Sequence, residues 1–340
     1  MRRISLICAA LAAALCLPLL EADGPYQVLK TAKVGGEGGF DYVYADSAGR
    51  RLYVARTGPT QRIAVFDLDT LQPAGTIPDI GAHGVAVDAK SHHGFATSKP
   101  VVMFDTTTLK IIKTIDVQGN PDGMLFDPFN RRVYILSHAA PNATVIDAKT
   151  GTVLGTIDLG GAPEQAATDG KGHLYIDIED KDNIAVVDAK EMKVTAHYDL
   201  GGNKTPAGLA FDAKNHVLFV ECRNPAMSVI MNALDGKIIT TLPIGTGVDG
   251  AGFLPEAKEA FSSQGDGTLT VIKENSSTDF AVEQTVKTMP SAKTMTIDSK
   301  TKHILLIAAE FGPAPQAEPG QRPRRGPMTP GSFTILEVGK

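Results

Sequence analysis

The chain of 340 residues contains no tryptophan, has only 6% aromatic residues and has three cysteines. So few aromatic rings argue against a groove that recognises sugars by stacking. Two of the cysteines, Cys8 and Cys16, fall in the first 22 residues, leaving Cys222 as the one thiol of the remainder. If that leader is removed no intramolecular disulfide can form, and a lone cysteine in the apolar run LFVEC reads as a buried, inert residue. Positive charge is also scarce: 33 Lys and Arg stand against 38 Asp and Glu, a formal net charge of −5. Such a balance offers no basic footprint for nucleic acid. Several catalytic signatures are missing as well, among them G-x-S-x-G, H-E-x-x-H, paired metal-binding cysteines and a phosphate-binding glycine loop.

One apolar run stands out, in MRRISLICAALAAALCLPLLEA at residues 1–22. Two arginines, a core broken by Pro18 and a small residue at Ala22 predict a secretory signal peptide, too short for a comfortable membrane span. Cys16 as a lipid attachment site is the lesser alternative, because Leu15 precedes it where a small residue is expected. Removing Arg2, Arg3 and Glu21 shifts the formal charge from −5 to −6. The expectation is a periplasmic or secreted, monomeric protein with no membrane span after processing.

What the sequence does have is a repeat. An Asp closes a short apolar run at Asp46, Asp88, Asp127, Asp169, Asp212 and Asp298, with Pro255 in the remaining slot, so that successive spacings are 42, 39, 42, 43, 43 and 43 residues. A second anchor follows in each unit at Asp67, Asp105, Asp147 and Asp188, then degenerates to Asn232, Glu274 and Glu337. Between the anchors lie four short runs of alternating hydrophobicity, clearest in GMLF, RRVYIL, ATVID and VLGTIDL of the third unit. Alternation over so few residues marks half-buried strands, not helices. Four strands in a fixed period of this length predict an all-β, seven-bladed β-propeller with four-stranded antiparallel blades, forming one domain over residues 23–340. The absence of tryptophan sets it apart from WD-type propellers.

The ends of the repeat carry a further expectation. The last unit stops at GSFTILEVGK, a third strand without a fourth, whereas YQVLKTAKVGG at residues 26–36 aligns with the fourth-strand sequence LKIIKTIDVQG. Pairing the N-terminal strand with the C-terminal blade would close the ring and hide both sheet edges. The sixth unit is degenerate, with KENSSTDF in place of the usual turn, and the seventh carries a Pro/Gly/Arg-rich insertion over about residues 312–331 that reads as a flexible loop.

The second strands read YVAR, FATS, YILS, YIDI, FVEC, FSSQ and LIAA. With the opening GNPDG and the VID…TG…TI endings, this pattern resembles the YVTN-type β-propeller repeat proteins, including YncE-like bacterial exported proteins, over residues 26–340. The resemblance implies a seven-bladed exported propeller. It implies no particular reaction; some relatives bind other macromolecules, nucleic acid included.

In a propeller the residue five before each anchor begins the innermost strand, at the rim of the central channel. Those positions hold Asp41, His83, Asp122, Glu164, Ala207 and Lys293, with Asp249 taking the slot in the sixth unit when one gap is allowed, and the next position is Gly84, Gly123, Gly208 or Gly250 in four units. Four carboxylates, an imidazole and an ammonium could organise a polar ligand or hold a divalent cation. The oxygens of Asp41, Asp122 and Glu164 suit Ca²⁺ or Mg²⁺, and His83 would admit a transition metal. A second layer is expected after the second strands, from Arg56, Lys99, His138, Asp177, Glu179, Glu221, Arg223 and Glu310. The same residues fit a merely wetted rim. Two functions remain: a binding protein for a small polar ligand or protein partner, without catalysis of its own, or a metal-assisted hydrolase or lyase of lactonase type at the channel mouth. The other histidines, His92, His93, His173, His197, His216 and His303, fall mostly beside Lys or Asn in turn sequences.

Overall fold

A computed structural model describes residues 24–315 and 325–340. The leader at 1–22 and the middle of the 312–331 insertion, with Arg322 and Arg324, lie outside the described residues. Seven four-stranded antiparallel sheets form the ring. Blade 1 comprises β2 (Gly39–Asp46), β3 (Arg51–Thr57), β4 (Arg62–Asp67) and β5 (Pro73–Pro78), and five further blades follow with the same order from inside to outside. The inner strands of blades 2 to 6 are β6 (Val85–Asp88), β10 (Pro121–Asp127), β14 (Pro163–Thr168), β18 (Lys204–Asp212) and β22 (Val248–Leu254). Blade 7 has β26 (Thr294–Asp298), β27 (His303–Ala308) and β28 (Thr334–Gly339), and its outermost strand is β1 (Gln27–Lys33). The register runs antiparallel from Gln27 opposite Gly339 to Lys33 opposite Thr334. This is the expected closure of first segment on last.

Burial explains why the units need one another. Seven apolar clusters fill the seven spaces between adjacent blades, so no blade carries a core of its own. Between blades 1 and 2, for example, Tyr53, Ile63 and Val65 face Val87, Ala96 and Phe104. The seam between blades 7 and 1 is built in the same way, with Leu305, Ile307 and Phe333 against Val43, Val54 and Phe66.

The two acidic anchors turn out to be turn devices. After the third strand, Asp67 Oδ1 accepts the N–H groups of Asp69 and Thr70, and Asp105, Asp147 and Asp188 repeat the arrangement. After the first strand, Asp46, Asp88, Asp127, Asp169, Asp212 and Asp298 each accept a backbone N–H two or three residues on. Short polar side chains that satisfy the backbone locally are what such turns require. His92 and His216 sit in these turns with left-handed backbone, as the sequence leads one to expect.

The sixth blade is regular despite its degenerate sequence: its third strand, Thr268–Ser276, continues straight into its fourth, Asp279–Lys287. The described ends of the seventh-blade insertion are tied together by a bridge between Phe311 and Met328, with the Arg325 guanidinium 4.5 Å over the Phe311 ring. No helix of the described residues is long and apolar enough to cross a membrane.

Candidate functional site

The innermost strands line a central cavity of about 340 Å³ whose wall includes residues from all seven blades, among them Tyr42, Gly84, Met124, Glu164, Leu209, Phe253 and Thr296. At its mouth the backbone departs from regular pairing. The register between first and second strands breaks between Phe40 and Val43, Pro121 and Met124, Pro163 and Ala166, Pro206 and Gly208, and Val248 and Gly250. Asp41, Asp122, Glu164, Ala207 and Asp249 occupy those breaks. A bulge re-aims the side chain it carries, and here it supplies a ring of side chains at the channel mouth. In blades 2 and 7 the corresponding His83 and Lys293 stand just ahead of strands β6 and β26. The glycines beside them permit close crowding: a Cβ on Gly123 would lie 2.4 Å from the Glu164 carbonyl oxygen.

These side chains form one arc of alternating charge. His83 Nδ1 lies 2.7 Å from Asp41 Oδ2 and 3.5 Å from Asp122 Oδ1. On the other side of Asp122, His138 Nε2 is 3.7 Å from Oδ2 and 3.3 Å from Glu164 Oε2. Arg223 then joins Glu164 Oε1 at 3.4 Å and Glu179 at 2.7 Å, and bonds Asp249, which Lys293 bonds from the far side. Blade 5 contributes no charge from its bulge, because Ala207 is there, and Arg223 at the end of its second strand, Val217–Asn224, fills the gap. The structure therefore brings together Asp41, His83, Asp122, Glu164, Asp249 and Lys293 from the first layer and His138, Glu179 and Arg223 from the second.

The remaining second-layer residues lie elsewhere. Arg56 is 1% exposed; its guanidinium donates to the carbonyls of Gly35, Glu37, Gly38 and Gly39 and rests 3.9 Å over Phe333, so it braces the ring seam instead of facing the mouth. Asp177 and Glu221 are fully buried within their strands, not at loop ends. Glu221 Oε1 accepts from Ser228 at 3.0 Å, whereas neither oxygen of Asp177 has a partner. Lys99 is occupied with the Gly119 carbonyl. Glu310 is exposed at the base of the seventh-blade insertion, where its backbone N–H donates to Ser332.

The electrostatics follow from crowding. Burial pushes Asp122 up to about 6, and burial outweighs Lys293 and Arg223 to raise Asp249. Burial would also raise Glu164, but its contact with His138 and the charge of Arg223 overcome it and hold Glu164 below its ordinary value. The Glu164 contact lifts His138 to about 9, and Asp41 raises His83. Beneath the arc, burial drives Asp177 well above the carboxylate range and Glu221 to about 8.

Two channel residues escape a reading of the sequence alone, Tyr42 and Gln165. Tyr42 Oη reaches Glu164 Oε2 at 3.4 Å, while Gln165 donates to the Asp249 carbonyl at 3.2 Å and accepts from Leu209 N–H at 3.1 Å. A signal was there. Both stand in the slot that four other blades reserve for glycine, and a large polar residue in a crowded slot has to reach into open space.

Seven closed blades around a polar-mouthed channel define a seven-bladed β-propeller. The chain is similar in sequence to the YncE proteins of Salmonella typhi and Salmonella typhimurium, which are described as uncharacterized, with 23% identity over 188 residues. The match covers 53% of this chain and 53% of each relative, so the chain spans about half the length of the curated relatives it matches. No protein-family profile matches. Among solved structures, a chain in the crystal structure of the mitotic checkpoint complex superposes with a TM-score of 0.72 at 12% identity, over 89% of this chain and 95% of that one, a likeness of fold alone.

Proposed function

We propose that the protein is an exported, monomeric binding propeller that holds a small ligand bearing both positive and negative groups at the channel mouth, without catalysis of its own. The observation that carries this reading is the arc from Asp41 to Lys293, in which carboxylates alternate with His83, His138, Arg223 and Lys293, beside a channel cavity of about 340 Å³ that the arc meets through Glu164. A cavity of that size suits a metabolite and not a chain segment. Alternating charges reward a ligand that can place an ammonium against Asp122 and a carboxylate against Arg223 and Lys293. The leader at residues 1–22 supports a periplasmic or secreted setting, and the acidic balance of the chain argues against nucleic acid as partner.

The reading is tested by thermal unfolding of the chelator-treated chain with amino acids, dicarboxylates, diamines and sugar acids at millimolar concentration. A ligand that binds only the folded protein raises its midpoint. The expected result is a rise with a zwitterionic compound that Lys293→Gln abolishes. A rise confined to compounds of one charge sign, or one untouched by Lys293→Gln, would overturn it.

A second reading, a metal-assisted hydrolase or lyase, is favoured by the carboxylate–histidine groupings around Asp122. Hydrolysis of a lactone or ester panel that requires added metal would establish it.

A further inference from the structure

Asp122 sits between two groupings of possible metal ligands, Asp41 with His83 on one side and His138 with Glu164 on the other, and within each the ligand atoms lie within 4.8 Å of one another. The two sides differ in a way that decides between them. On the first, His83 Nδ1 is already engaged by Asp41 at hydrogen-bond distance, 2.7 Å. That contact explains the pair without an ion. On the second, His138 Nε2 is shut off from solvent and makes no hydrogen bond, although two carboxylates face it. Its separations from Glu164 and Asp122, 3.3 and 3.7 Å, are slack for an imidazolium bonded to carboxylates. They are close to the spacing of ligands sharing an ion: bonds of about 2.0–2.2 Å at tetrahedral angles place neighbouring donor atoms about 3.3–3.6 Å apart, which the Glu164 separation meets and the Asp122 separation exceeds slightly.

The surroundings are built for this charge. Glu164 uses its other oxygen, Oε1, to accept from Arg223, which fixes Oε2 toward His138, the kind of outer contact that orients a metal ligand. Even with both imidazoles protonated, the five carboxylates of Asp41, Asp122, Glu164, Glu179 and Asp249 outnumber the four cations His83, His138, Arg223 and Lys293. The excess negative charge is of the right sign for a dication. An imidazole beside two carboxylates selects a first-row transition ion over Ca²⁺ or Mg²⁺, and three protein ligands leave a fourth position for an outside ligand.

We propose that Asp122, His138 and Glu164 bind one divalent transition-metal ion of the zinc class at the channel mouth, with Glu164 oriented by Arg223. The site shares the mouth with the organic ligand proposed above and rests on the same reading of it as the functional face. It requires neither that ligand nor any reaction.

The test is calorimetric titration of the chelator-treated full chain with Zn²⁺ at neutral pH, and with Co²⁺ followed by visible absorption. One ion per chain is expected, with Co²⁺ bands of a low-coordinate nitrogen and oxygen site. His138→Gln and Asp122→Asn should each abolish both signals, and Asp41→Asn should retain them. Circular dichroism and the metal-free unfolding midpoint show whether each variant is folded, and two variants on separate positions guard against one that is not. Absence of stoichiometric binding by the natural chain, an ion retained in folded His138→Gln, or equal loss in Asp41→Asn would overturn the proposal. Because the organic ligand is assayed without metal, its binding or failure is read separately from that of the ion.

Discussion

Tyr42 of the first blade and Glu164 of the fourth meet across the channel, Oη 3.4 Å from Oε2. The contact ties together blades that share no sheet and no apolar cluster. Burial and the nearby Glu164 charge keep the phenol far above its ordinary value, so it remains a donor at any physiological pH. Tyr42→Phe should remove this one long hydrogen bond at a cost of about 0.5–1.5 kcal/mol. Tyr42→Ala, which also opens space in the cavity wall, should cost about 3–5 kcal/mol. Urea unfolding distinguishes the two, and equal losses would mean that the ring matters less than the hydroxyl.

Arg223 is the hub of the arc, contacting Glu164, Glu179 and Asp249 and donating from Nε to the Val248 carbonyl at 3.0 Å. Replacing it with Met should leave Asp249 to Lys293 alone and Glu164 to His138 alone, and destabilise the protein by about 1–3 kcal/mol. Arg223→Lys keeps the charge but not the fork that spans three carboxylates, and should recover only part of that loss. Thermal midpoints of the two variants, measured side by side, check the order.

Glu221 makes stability fall with rising pH. Its folded value, near 8, lies above the ordinary carboxylate value it regains on unfolding. Below the ordinary value both states are protonated and the full contribution is present. As pH climbs toward 8 the unfolded chain gives up the proton that the folded one still holds, and stability drops by an amount on the order of several kcal/mol. Glu221→Gln, which keeps a neutral acceptor for Ser228, should flatten this slope between about pH 5 and 8. Denaturant titrations across that interval measure it, and an unchanged slope would place the pH dependence elsewhere.

Cys222, buried and pushed upward by that burial, should be inert to a thiol reagent in the native protein and react stoichiometrically once urea unfolds it. Reaction with the native chain at the rate of a free thiol would contradict the burial.

The fold was legible because the features that specify it are local and repeated. Asp67, Asp105, Asp147 and Asp188 each tie the same turn, so a pattern visible by spacing corresponds to one hydrogen-bond arrangement made four times. Ring closure was readable for a similar reason, since QVLKTAK carries a fourth-strand pattern with no blade of its own. The site was legible only in its first layer. Spacing located Asp41, Asp122, Glu164 and Asp249, but not the bulges that aim them, because a bulge changes register without changing composition. Arg56, Asp177 and Glu221 share the expected position at or near the ends of second strands with His138 and Arg223 and still diverge from them. Whether a polar end reaches the mouth depends on its neighbour: Arg56 meets four free carbonyls beside it, whereas Arg223 meets the vacancy left by Ala207.

Sealing the seventh blade with Gln27–Lys33 also sets an order of events. A chain made from its N-terminus must keep that first strand unmatched until residues 334–339 have been synthesised, because its partner is the last strand formed. Loop closure over the whole sequence is the slowest kind of contact to make. Six blades can therefore assemble in sequence while the seventh waits, and the ring should lock in a single late step. During that interval the N-terminal segment is the part of the molecule most open to a chaperone, a protease or the matching edge of another copy.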